Sequence, residues 1–408
     1  MPTAKPLLLI STLALTAFAG CSDDTTSPPD PPDDGLLAAP PTGQGVQYAL
    51  DTTIDAGSEV ERCRFVQAPA DGLWVKRDEV RYTEGSHHFL LYETAYDDIP
   101  ESKNDGTPVD TSGVFDCSDG PTNGWSVTRL VGGSQNANGD SALSFPDGVA
   151  LRVRPGAVLM LNAHYINTRP EPLDAEVRIN LWTLPEEDVV TEGDILFWYN
   201  IFIDVPAMGA SQAKMRCTIP SDITVTSMQS HMHARGVGYV AQEVGADMPF
   251  YLNDRWEDVP VSRFDQGFPL KAGAEVEYAC NYENGEPRDV HQGPRSTDEM
   301  CMLIGSYYPA VPGLSFCAAD PEAPLATQGL GARWIGDGEA TCAETLACVQ
   351  AGAESDDFFD HLQGCVVKSD PAVSREMSDA VRCLLLALGS GQEPVEACGS
   401  EIGSCLAL

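Results

Sequence analysis

The chain has 408 residues, 21% of them charged, and a formal net charge of −37 at pH 7. That length accommodates two or three separate cores. A field of that sign repels nucleic acid and removes DNA and RNA from the candidate partners, while it suits an exported protein kept soluble in salt.

At the start, Lys5 precedes an apolar run from Pro6 to Phe18 that closes on Phe18-Ala-Gly-Cys21. A charged beginning, a short apolar stretch and small residues before the cut read as a secretory signal over residues 1–20. A cysteine directly after the small residues resembles a bacterial lipoprotein signal, so Cys21 is the expected lipid anchor. The protein is then exported to the outer membrane or cell surface and touches a membrane only through that lipid. No later run approaches the roughly 20 apolar residues needed to span a bilayer. Residues 21–42, rich in Pro, Asp, Ser and Thr, have little to bury and read as an extended tether.

From 43 to 330 the dominant signal is period two. Val177, Ile179, Leu181 and Thr183 alternate with Glu176, Arg178, Asn180 and Trp182, and Val276, Tyr278 and Cys280 alternate with Glu275 and Glu277. Short strands separated by Gly, Pro, Asn and Asp clusters argue for sandwiches. The span is large for one, which predicts a mainly β protein with two consecutive antiparallel, jelly-roll-like β-sandwiches. They cover 43–187 and 188–330 and divide near Pro185-Glu-Glu-Asp188.

Residues 335–408 change character. Cys342, Cys348, Cys365, Cys383, Cys398 and Cys405 sit in Ala- and Leu-rich segments, notably 340–351 and 374–388, that read as helices. Six cysteines in so short a stretch predict a small disulfide-rich helical module with three bridges of open connectivity. A cysteine metal site is the weaker reading, because no CxxC pair occurs and the compartment is oxidising.

The chemistry lies in the histidines. Of seven, five fall in three patterns: His87-His88, His164 within Leu161-Asn-Ala-His-Tyr-Ile-Asn167, and His231-Met-His233; Met300 adds a thioether in Asp298-Glu-Met-Cys-Met302. Three imidazoles in one half and two imidazoles with a thioether in the other suit copper, since a soft thioether narrows the choice toward Cu(I). Redox chemistry follows. Residues two apart in a strand share a face, so His231 and His233 point the same way. Met300 and Met302 also share a face, and parity does not choose between them. Neighbours such as His87 and His88 meet one ion only at a strand end or bulge, or through different ring nitrogens, and Gly85 permits such an irregularity. Bland readings stand beside each pattern: solvated strand histidines, a core methionine, a structural His164. His291 reads as a loop residue near the second site and His361 as the surface of the helical module.

The order His-His, His, His-x-His, Met over about 45–325 resembles the copper type II, ascorbate-dependent monooxygenases, a family that includes dopamine β-hydroxylase and peptidylglycine α-hydroxylating monooxygenase. The strongest local match runs from Glu299-Met-Cys301 through Tyr307-Tyr-Pro309 to Cys317. The resemblance implies two sandwiches, each with one copper, facing each other across an open cleft. By the same resemblance His87, His88 and His164 hold an electron-transfer copper, while His231, His233 and Met300, chosen over Met302, hold the catalytic, oxygen-binding copper. It further implies the disulfides Cys280–Cys301, Cys217–Cys317 and Cys63–Cys117. The implied reaction is hydroxylation of a C–H bond of a small substrate with O2 and electrons from ascorbate or another small reductant. Where peptide-amidating members carry an Arg before the His-x-His this chain has Gln229, and Met302 and Ile304 replace their Asn and Tyr, so a carboxylate-terminated peptide is not expected and a more apolar substrate is. The alternatives are a copper-binding or electron-transfer lipoprotein on the same scaffold, and a structural or carbohydrate-binding sandwich.

Overall fold

A computed structural model of the chain describes residues 36–120, 122–136 and 138–408. The signal segment, Cys21 and most of the tether lie outside them.

The fold is mainly β. One eight-stranded sheet runs through the molecule in the order Gly45–Ile54, Leu173–Thr183, Leu73–Tyr82, Val149–Val153, Thr191–Tyr199, Met302–Tyr308, Ile223–His231 and Ser262–Leu270. A five-stranded sheet covers its first half, in the order Val114–Asp116, Glu59–Gln67, Val158–Ile166, Ser86–Thr94 and Val127–Ser134. A second five-stranded sheet, Tyr251–Asn253, Gly236–Glu243, Glu275–Glu283, Ala210–Thr218 and Arg333–Ile335, lies over the other half. The alternation read from the sequence does the packing. Val177, Ile179 and Leu181 are buried in one core, and Val276, Tyr278 and Cys280 in the other.

The two cores meet at shared strands. Along Thr191–Tyr199, Ile195 and Phe197 pack into the N-terminal core, whereas Leu196 and Trp198 pack into the C-terminal one. Met302 and Ile304 likewise face the first core and Leu303 the second. Side chains that alternate across a strand let it serve both layers. The strand pairs are antiparallel, as expected, with one exception. Thr191–Tyr199 pairs in parallel with Val149–Val153.

The tail forms helices Cys342–Ala351, Phe358–Val367, Ser374–Gly389, Pro394–Ala397 and Gly399–Leu406. Thr341 begins the first with a capping box closed by Glu344. Its disulfides are Cys342–Cys405, Cys348–Cys365 and Cys383–Cys398. The sandwiches carry Cys63–Cys117, Cys217–Cys317 and Cys280–Cys301, the pairs that the resemblance implies. Six disulfides belong to an oxidising compartment and mark an exported protein. No helix of the described residues is long and apolar enough to cross a membrane. The module is not a separate ball, since Val349, Leu362, Cys365 and Val381 share the core of the C-terminal sandwich.

Candidate metal centre

Strand Ser86–Thr94 pairs with Val158–Ile166 in a register that runs Ser86 opposite Tyr165 and then His88 opposite His164. His87 is therefore the extra residue of a bulge, two residues after Gly85, whose φ of 107° favours glycine. The irregularity breaks the up-down alternation and brings both neighbours to one place. The ring centroids of His87 and His88 lie 5.3 Å apart, those of His88 and His164 5.0 Å, and those of His87 and His164 5.1 Å.

The second pair sits at the end of strand Ile223–His231. The rings of His231 and His233 are 5.2 Å apart. His231 lies opposite Met302 at the last rung of the ladder, and His233 and Met300 follow just beyond the paired residues. Met300 precedes its strand, which begins at Met302. Cys301 between them is tied to Cys280, and the Tyr282 hydroxyl donates to the Met300 carbonyl at 2.7 Å.

The two sets were expected as separate pockets across an open cleft. The structure corrects this. His87 lies 5.7 Å from His231 and 5.3 Å from His233, ring to ring, and His88 lies 5.9 Å from His231. Two groups of ring nitrogens gather within 4.8 Å of one another, His87 with His88 and His164, and His87 with His231 and His233. His87 belongs to both. The reason is a dense seam of hydrogen bonds between the sandwiches. Asn136 donates to the Val259 carbonyl at 2.9 Å, Thr226 to the Ser144 carbonyl at 3.0 Å and Ser306 to the Ala142 carbonyl at 2.7 Å.

Each outer imidazole is oriented through one nitrogen. His164 Nε2 bonds Glu59 Oε1 at 2.9 Å, His231 Nδ1 bonds Gln135 Oε1 at 2.5 Å, and His233 Nδ1 bonds the Asp298 carbonyl at 3.0 Å. A ring N–H given to an acceptor fixes the tautomer and leaves the other nitrogen's lone pair free. Four buried ring nitrogens of the cluster have no hydrogen-bond partner among the described residues: Nε2 of His87, Nδ1 of His88, Nδ1 of His164 and Nε2 of His233. Burial, reinforced by the neighbouring imidazoles, holds His87, His88 and His231 well below the ordinary histidine value, and burial holds His233 down to about 4. These four rings are thus held toward the neutral form, the one that binds a metal ion.

Charged residues that the motifs did not reveal brace the cluster. Glu59, lowered to about 2 chiefly by its bond to His164, also accepts from Ser296 N at 2.6 Å and Ser296 Oγ at 2.8 Å on the opposite sandwich. Glu299, fully buried, accepts from the backbone N–H groups of His233 at 3.0 Å and Arg235 at 2.9 Å, and burial lifts it to about 7. Its place beside Met300 was the only available signal. His291 lies on the two-residue strand Val290–His291 and faces Asp204 at 3.5 Å, outside the cluster. His361, expected at the surface, is half-buried with Nε2 2.7 Å from the Cys348 carbonyl. Its neighbours Cys348 and Cys365 are bonded to each other, which withdraws them as ligands.

A cavity of about 620 Å³ opens beside the histidines between the two sandwiches. His88, His231, Met300 and Met302 line one side; Leu90, Tyr92, Leu143, Ile195, Phe197 and Phe316 supply much of the rest. Among the described residues no Lys or Arg lines it, and its acidic residues are Glu61 and Asp119. Glu61 is buried there and raised to about 6 by that burial.

Residues 205–326 match the family model of the C-terminal domain of copper type II ascorbate-dependent monooxygenases. No curated protein matches the chain. Among solved structures the chain is similar to the major capsid protein P2 from bacteriophage PM2, at 9% identity and a TM-score of 0.27, over 64% of this chain and 97% of that one. It is also similar to PNGase F, a glycosylasparaginase from Flavobacterium meningosepticum, at 9% identity and a TM-score of 0.29, over 64% of this chain and 94% of that one. Both likenesses are too remote to bear on function.

Proposed function

We propose that this chain, whose residues 205–326 match the family model of the C-terminal domain of copper type II ascorbate-dependent monooxygenases, is a copper enzyme that hydroxylates a C–H bond of a small apolar substrate. The overall change inserts one oxygen atom of O2 into the C–H bond and reduces the other to water. Ascorbate or a similar small reductant supplies the two electrons, and two protons complete the balance. The observation that carries the reading is the convergence of four unpartnered, buried ring nitrogens beside an apolar cavity that Met300 also reaches. Orphaned buried polar atoms are costly unless a ligand satisfies them.

His87, His88 and His164 would hold one copper, and His231, His233 and Met300 the other. Copper, when bound, supplies one-electron redox steps and the activation of O2, and the thioether favours its reduced form. The protein's own residues do the rest. Glu59 and Gln135 hold His164 and His231 with one nitrogen free, and Glu299 fixes the backbone of His233. The apolar wall excludes water from the reacting region. The cavity's size is that of a small-molecule site. With no cation on its wall and a buried Glu61, it disfavours a carboxylate-bearing substrate. The lipid anchor at Cys21 and a cell-surface location are part of the same reading.

The test is copper content followed by ascorbate-driven oxygen uptake over a panel of small aromatic and aliphatic compounds. Two coppers per chain with substrate-dependent uptake and a hydroxylated product are the expected result. Two coppers without a coupled product would point instead to a copper-binding or electron-transfer protein, and no copper would end the proposal.

A further inference from the structure

The helical tail lies outside the family-matched segment of 205–326, yet it reaches the cavity. Phe359, on helix Phe358–Val367, lines the cavity wall together with Ile201, Gln292 and Pro294. Its ring centroid is 6.4 Å from that of the buried Phe202, and 38% of its surface stays exposed. A large apolar side chain half in solvent at the rim of an apolar cavity is placed to cover a ligand rather than to build a core.

One turn further on, buried Gln363 locks this helix to the site. Its Oε1 accepts from the backbone N–H of Gln292 at 2.8 Å and of Ile203 at 3.3 Å. Gln292 in turn donates from its side chain to the Tyr199 hydroxyl, another wall residue, and its backbone bridges to Glu299, whose carboxylate holds His233. Disulfide Cys348–Cys365 anchors the same helix to Cys342–Ala351. Wall and brace therefore come from one stapled element.

We infer that helix Phe358–Val367 of the disulfide-rich tail is part of the substrate site, with Phe359 as the residue that closes the outer wall over an apolar ligand and sets its permitted size. Gln363 is a positioning residue that acts through Gln292. The inference rests on the reading of the cavity as the substrate site.

The test uses the full mature chain and a neutral apolar fluorophore, N-phenyl-1-naphthylamine, whose binding needs no metal. Phe359→Ala is compared with wild type and with Leu388→Ala, a control on another helix of the same module where the side chain is 49% exposed. Loss of one aromatic contact predicts roughly fivefold to tenfold weaker probe binding in Phe359→Ala, with wild-type affinity in Leu388→Ala and unchanged copper content in both. Equal affinity in all three proteins, or equal losses in both variants, would overturn the inference. If the enzyme proves active, Phe359→Ala should raise KM for small substrates more than it lowers kcat and admit larger ones. Absence of oxygen uptake by wild type would strike the monooxygenase reading alone, because the probe result does not depend on copper.

Discussion

Gln135 and His231 belong to different sandwiches, yet Gln135 Oε1 lies 2.5 Å from His231 Nδ1 and Gln135 Nε2 donates to the Ser230 carbonyl at 2.6 Å. The amide grips the ring of the residue that would bind metal and the backbone of the residue before it. It therefore fixes the His231 tautomer from across the interface. Gln135→Leu keeps the bulk and removes both bonds. Loss of such an outer partner typically costs about 10–100-fold in metal affinity, and that weakening is the expected outcome for the His231 site. Titration against a competing chelator checks it. Copper held by His87, His88 and His164 should weaken less, since Glu59 rather than Gln135 orients His164, and only the shared His87 couples the two groups.

Met300 and Met302 both line the cavity and pack against the N-terminal core, but Met302 is a buried strand residue opposite His231 whereas Met300, the proposed ligand, is half-buried just before that strand. Their replacements should part company. Met300→Leu conserves volume but deletes the soft ligand, so ascorbate-driven oxygen uptake is expected to fall by about 100-fold or more while the first copper remains bound. Met302→Leu, a volume-conserving core swap, should cost less than about 1.5 kcal/mol of stability and leave uptake within a few-fold. X-ray absorption of the reduced protein reads the same distinction directly, because the sulfur scatterer disappears only in Met300→Leu.

Much of this was legible beforehand. The alternation of Val177, Ile179 and Leu181 announces a half-buried strand, and the spacing of His231 and His233 announces a shared face. Gly85 beside His87-His88 signals the one irregularity that lets adjacent strand residues converge. The meeting of the two histidine sets was not legible, because it depends on contacts such as Thr226 with Ser144 and Asn136 with Val259, which join residues 82 and 123 positions apart. Such pairings carry no local period. Glu59 and Gln135 were invisible for the same reason, since an isolated Glu or Gln acquires its role only from what folding sets against it.

The disulfide Cys280–Cys301 holds the segment next to Met300 against strand Glu275–Glu283. Replacing both cysteines by Ser frees a 21-residue loop and leaves two polar groups in a fully buried place. Removal of a native bridge of this kind costs about 2–5 kcal/mol. Urea unfolding should show a lower midpoint for Cys280→Ser/Cys301→Ser, and the Met300 site should lose copper before the His87 site does. A variant as stable as wild type would mean that packing alone holds this strand.

Asp78 offers a pH-dependence that is independent of metal. The side chain is buried with Oδ2 accepting from Gly133 N at 2.7 Å and Oδ1 without a hydrogen-bond partner, and burial lifts its carboxyl from the ordinary aspartate range to about 7. In the unfolded chain the same group ionises near pH 4. A folded-state value above the unfolded one means that folding favours the proton. The group's contribution is then fully present below about pH 4, declines as pH rises, and is lost once pH passes about 7. Asp78→Asn keeps an acceptor for Gly133 and stays neutral throughout. Relative to wild type it should gain on the order of 2–4 kcal/mol between pH 4 and pH 8. The buried histidines and Glu299 titrate in both proteins and cancel in the difference. Urea midpoints of the two proteins measured in chelator across that range provide the check, and a difference that stays flat with pH would show that Asp78 is already ionised in the fold.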